Sequence, residues 1–268
     1  MTTTQKVIKY CAIAFAVFLI VSIFTGILGA VSGLSFFSGR RNAIGEEKIY
    51  AVNDTVESLE IDLSGTELEI RTGDGFSVES NHKYLEVENK GGLLRIKEEH
   101  PVFGFYPGGV QVILTIPENF SFEKVHISAG AGEMKIDTLL AEKLFLDLGA
   151  GEVHIDRLDA SVKAEINSGA GELRIGDGNL ADLNFDMGIG EVNMRSALTG
   201  DCEIHMGVGE LNLTLAGNSR DYRISLDKGV GDAVLDGRKM YEGETYGSGD
   251  TVIELDGGVG AIKIEFDG

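Results

Sequence analysis

The 268-residue chain has no Trp, only three Pro and only two Cys. Cys11 and Cys202 stand far apart in unlike surroundings, which excludes a disulfide framework and a cysteine-based zinc cage. Acidic residues are missing from positions 1–41, which hold Lys6, Lys9, Arg40 and Arg41, so the rest of the chain carries the entire formal charge of −20 and four units more. A polyanion of that kind is repelled by nucleic acid, whose phosphates need clustered Lys and Arg. Catalytic signatures are missing as well. There is no Gly-Lys dipeptide to close a phosphate-binding loop, no H-E-x-x-H and no G-x-S-x-G.

The first positive feature is an uncharged run, Tyr10–Phe37. A span of about 20 apolar residues at about 1.5 Å each crosses a bilayer core. Cleaved secretory signals carry shorter apolar regions, of about 7–15 residues. The run therefore predicts one transmembrane α-helix within an N-terminal anchor, residues 1–41. Lys6 and Lys9 precede it and Arg40, Arg41 and Lys48 follow, so the positive-inside balance is near a tie and leaves orientation open.

The second feature is a repeat. GAGE begins at Gly130, Gly149 and Gly169, GIGE at Gly188, GVGE at Gly207, GVGD at Gly229 and GVGA at Gly258. The intervals are 19, 20, 19, 19, 22 and 29 residues. Apolar residues alternate on both sides of each corner, as in Leu144, Leu146 and Leu148 before Gly149, and Val153 and Ile155 after it. Period two on both sides of a glycine turn reads as strand, turn, strand with one buried face. A unit this short cannot bury that face alone. The units are therefore expected to stack as an all-β parallel β-solenoid (β-helix) with coils of about 19–20 residues. A flat antiparallel sandwich is the competing architecture. Residues 42–120 read as irregular first strands that cap the solenoid, and residues 121–268 as the repeat proper. The degenerate copy SGTELEI (Ser64–Ile70) belongs to the first part, and Asp236–Gly249 is expected to loop out of the stack.

The segment VILTIPENFSFEKVHISAGAGEMKID (Val112–Asp137) and the G-x-G-[ED] coils after it resemble the bacterial putative-adhesin family of β-strand-repeat envelope proteins, a domain of unknown function. The resemblance covers roughly residues 50–268. It implies a membrane-anchored envelope protein whose domain lies outside the cytoplasm, and it brings no catalytic residues.

Rows of acids are the candidate chemistry. Glu133, Glu152, Glu172, Glu191, Glu210 and Asp232 share one repeat position, and Asp147, Asn167, Asp186, His205, Asp227 and Asp256 another. Oxygen ligands in rows suit a weakly held Ca²⁺. Like charges about 4.8 Å apart in water repel by only about 0.9 kcal/mol, whereas one buried aliphatic side chain contributes about 1.5–3 kcal/mol, so a solvated ladder needs no cation. His82, His100, His126, His154 and His205 occupy different repeat positions and do not converge on a metal. Cys202 takes an inward position and reads as an inert core thiol. Candidate partner-binding residues lie where loops leave the regular stack: Phe103, Phe105 and Tyr106 in one, Met240, Tyr241 and Tyr246 in the other. The backbone at Ile262–Phe266 is expected to form an open edge able to accept a strand. Together these features predict a non-enzymatic binding or structural module of the envelope. The rivals are a cytoplasm-facing scaffold in envelope-stress signalling and a polysaccharide-active β-helix enzyme.

Overall fold

The computed structural model describes residues 43–52, 55–99, 109–227 and 229–268. The proposed span Tyr10–Phe37 lies outside them. Among the described residues the structure is all-β, and no helix is long and apolar enough to cross a membrane. Sixteen strands run in order: β1 (Ile44–Ala51), β2 (Val56–Leu63), β3 (Glu67–Gly73), β4 (Ser77–His82), β5 (Leu85–Lys90), β6 (Gly92–Glu98), β7 (Gln111–Pro117), β8 (Ser121–Ala181), β9 (Leu183–Thr199), β10 (Asp201–Leu215), β11 (Tyr222–Asp227), β12 (Val230–Leu235), β13 (Arg238–Lys239), β14 (Thr245–Gly247), β15 (Thr251–Asp256) and β16 (Val259–Phe266). The length of β8 reflects its path, because it bends around successive glycine corners without leaving the ladder.

The coils pair in parallel, as the repeat predicts. Gly171 lies opposite Gly190, and Gly190 opposite Gly209, with every flanking residue in register. One inward ladder runs Ile96, Ile61, Ile127 through Ile166, Phe185, Ile204, Leu255 and Leu226, each almost completely buried. Val153, Ile155, Leu173, Ile175, Val192, Met194, Leu211 and Leu213 are buried on the next wall. The corner is built on contact between backbones. A Cβ at Gly190 would fall onto the carbonyl oxygen of Gly171, and its φ of 145° is one that side-chain-bearing residues avoid.

Chain order and stack order differ at both ends. After β10 the chain skips a slot, forms the coil β11–β12, and turns back. The last coil, β15–β16, then enters the gap: it pairs in parallel with β10 on one side and with β11 and β12 on the other. The expected open edge at Ile262–Phe266 is therefore wrong. Ile262 pairs with both Leu211 and Ala233, and strand pairing uses both of its backbone sides. The first coil behaves alike, since β2–β3 lie between β6–β7 and the start of β8.

The outer coils are closed by antiparallel strands. At one end β5 covers β6, and β4 covers β7 with β1 outside it. At the other, β13 covers β12 and β14 covers β11. A parallel stack left open would present unpaired N–H and C=O groups, and short strands turned back on it satisfy them.

Candidate functional site

The outward faces carry the polar chemistry, and strand register decides what each row contains. On the strand after the glycine corner, Glu172, Glu191 and Glu210 face the same way in adjacent coils. Glu152 and Glu133 hold the equivalent place one and two coils earlier, next to the stacked glycines Gly151 and Gly132. The row then stops. Ala261 follows Glu210 in the stack, and Asp232 lies one coil beyond, so the expected unbroken acidic row is interrupted by the inserted coil.

Two residues along each strand, a second row supplies donors. Lys135 pairs with Glu133 at 2.7 Å, Arg174 with Glu172, and Asn193 donates to Glu191 at 2.7 Å. Asp232 pairs with Lys239 at 3.2 Å. Ca²⁺ needs about six to eight converging oxygens at about 2.3–2.6 Å. Carboxylates spread one per coil, with Glu133, Glu172, Glu191 and Asp232 engaged by neighbouring donors, do not provide that shell. No group of three or more His, Cys, Asp or Glu poised for a metal occurs among the described residues.

The row before the corner runs Asp147, Asn167, Asp186, His205, Asp256, Asp227 in stack order. His205 thus stands between two carboxylates, 3.4 Å from Asp186 and 3.3 Å from Asp256. Asn167 Nδ2 donates to Asp147 at 2.7 Å and the His126 ring approaches it at 3.0 Å. These bonds hold the Asp147 carboxyl below its ordinary value.

The loop candidates divide. Phe103, Phe105 and Tyr106 lie outside the described residues. Met240 is fully buried and joins the core, and Tyr246 is half-buried with its hydroxyl accepting from the Tyr241 N–H at 2.7 Å and donating to Glu244 at 2.8 Å. Only Tyr241 of this trio presents its ring to solvent. Cys202 is buried as expected, and burial pushes its thiol further up.

Two features were missed from the sequence. One is a buried polar cluster under the first coils: Thr66 donates to Glu98 at 2.6 Å, and His82 Nε2 stands 3.8 Å from the same oxygen. The Tyr84 N–H donates to His82 Nδ1, so the neutral ring carries its proton on Nε2. Burial lowers the His82 pKa, with Glu98 opposing the shift. The other is the middle residue of each corner. Stacking aligns Ala170, Ile189, Val208, Val259 and Val230 along one exposed ridge. Its signal was the letter between the glycines, which changes from Ala to Ile and Val along the chain.

The parallel coils with glycine corners agree with a sequence comparison, in which residues 56–256 match the family described as toastrack DUF4097. The chain belongs to the toastrack family. No curated protein matches it. Among solved structures this toastrack chain is similar to a putative cell adhesion protein from Clostridium sporogenes, at 21% identity over 83% of this chain and 99% of the other, with a TM-score of 0.35. A putative adhesin from Bacteroides fragilis is similar at 13% identity over 82% and 96%, with a TM-score of 0.45. A putative lipid binding protein from Parabacteroides distasonis is similar at 14% identity over 83% and 97%, with a TM-score of 0.38.

Proposed function

We propose that this toastrack protein is a non-enzymatic, membrane-anchored module of the bacterial envelope, with Tyr10–Phe37 as its anchor and its β-domain facing out of the cytoplasm. One observation carries the non-enzymatic part of the reading. Along each row of the repeat the outward acids stand at most one per coil, and several are satisfied by donors of their own or the adjacent strand, such as Glu133 by Lys135 and Asp147 by Asn167. An active site needs groups that converge on one reacting atom. Rows of this kind instead give an extended surface, which suits lateral contact with a partner or the wall. The uncharged run supports the anchor, and the large negative charge of the remainder suits a domain kept off anionic lipid.

Protease shaving of intact cells tests the reading. Loss of the β-domain with survival of the N-terminal segment supports it. Full protection would move the domain to the cytoplasmic side, and turnover of a wall glycan by the purified protein would make it an enzyme.

A further inference from the structure

The ridge of corner residues carries an inference that deepens the binding-module reading and rests on it. In stack order Ile189, Val208, Val259 and Val230 occupy four adjacent coils. Ile189 is 37% exposed, Val259 41% and Val230 43%, with Val208 half-buried between them. Stacking at about 4.8 Å makes this an apolar line about 14 Å long. Glycines border it on both sides, so no side chain rises beside it to shield it. The line is continuous only because the last coil inserts: without Val259, a gap would separate Val208 from Val230.

Both shoulders of the ridge are acidic. Asp186, Asp256 and Asp227 line one, and Glu191, Glu210 and Asp232 the other. The nearby lysines are already engaged, Lys239 with Asp232 and Lys263 with Glu265, and the His205 ring lies between Asp186 and Asp256. A second copy laid ridge to ridge would bring acidic shoulders together, and an anionic lipid surface would meet the same repulsion.

We propose that this ridge docks a basic amphipathic segment of a partner protein, with a line of aliphatic side chains seated on Ile189, Val208, Val259 and Val230 and Lys or Arg reaching the acidic shoulders on either side. Burial of the aliphatic line supplies affinity, and the flanking charges set orientation and exclude acidic competitors.

The probe is a helical Leu/Lys peptide of about 14 residues with leucine along one face and lysine on both flanks. It is titrated by fluorescence anisotropy into the full chain in zwitterionic detergent, with micelles alone as background. The expected result is saturable binding. It weakens about tenfold or more when Ile189→Ser, Val208→Ser and Val259→Ser are combined at unchanged melting temperature. Glu210→Gln with Asp256→Asn should weaken it further and reduce its salt dependence, and a Leu/Glu peptide should not bind. No binding, equal binding by a Ser/Lys peptide, or indifference to the serine substitutions would overturn the proposal. So would self-association or adsorption to anionic vesicles that those substitutions abolish, because the occupant would then be a second copy or a membrane. A failed titration leaves the shaving result standing, so the ridge and the envelope reading fail separately.

Discussion

At the scale of single residues, glycines do two jobs that mutation can separate, one in the β5–β6 turn and one at the stacked corners. Gly91 has a φ of 59° with open space where a Cβ would go, whereas Gly190 combines positive φ with the backbone of Gly171. Gly91→Ala should cost about 1–2 kcal/mol from conformation alone. Gly190→Val should cost about 3 kcal/mol or more, since strain and overpacking add. Urea unfolding of both variants checks this, and equal losses would mean that the stacked backbones yield. His82 gives a pH prediction. Its folded pKa is lowered by burial, so its contribution is complete above its ordinary value near 6.5 and is lost as pH falls through the lower folded value. Asp147, also lowered, adds a second loss beginning below its ordinary 3.8. Melting temperature should therefore decline in acid in two stages, and His82→Gln should remove the first. An unchanged acid profile in that variant would show that His82 does not titrate on unfolding.

At the scale of elements, the segment from β13 to β14 is a lid on the outer coil β11–β12. Met240 sits in the core, and β14 pairs antiparallel with β11 through Ile224 and Tyr246. Met240→Ala should cost about 2–5 kcal/mol in chemical denaturation. Deleting Arg238–Tyr246 should abolish cooperative melting, and a deletion variant that still melts cooperatively would refute the capping role. For the acidic row, millimolar Ca²⁺ should raise the melting temperature no more than matched ionic strength does, because Lys135, Arg174 and Asn193 already engage it. Much of this level was legible in the sequence. Alternation around each G-x-G gave the parallel register and the inward rows, because every coil repeats the same local demand for one buried face. What stayed hidden was order. The intervals of 22 and 29 residues report how much chain lies between corners, not which slot each coil takes. That choice depends on which edges would be left unpaired, and Ile262 looks the same to a periodicity argument whether it ends the stack or lies within it. The exposed ridge escaped for a related reason, since Val259 joins Val208 and Val230 only in stack order.

At the scale of the whole molecule, out-of-order insertion ties the last two coils into one unit. In a sequential solenoid, removing the final coil leaves its predecessors nearly intact, because each coil contacts only its neighbours. Here β11 and β12 would keep only the short strands β14 and β13 as partners. A chain ending at Asp250 should lose amide protection across residues 222–235 as well, while β9 keeps its own. Hydrogen exchange measures this. Retained protection in residues 222–235 would show that the outer coil stands without the inserted one.

The double pairing of β16 also sets how the protein answers tension. Force applied beyond Phe266 along the strand must shear two parallel ladders at once, with β10 and β12 loaded together. Force applied ahead of Ile44 meets β1, which is held on one side by β4 and can peel away pair by pair. Pulling from the two directions in a single-molecule experiment should give a high rupture force at the β16 side and a low one at the β1 side. A module fastened to a cell near β1 and loaded at its far end carries the same tension at both ends, so it would give way first at β1, beside its tether, while β16 holds.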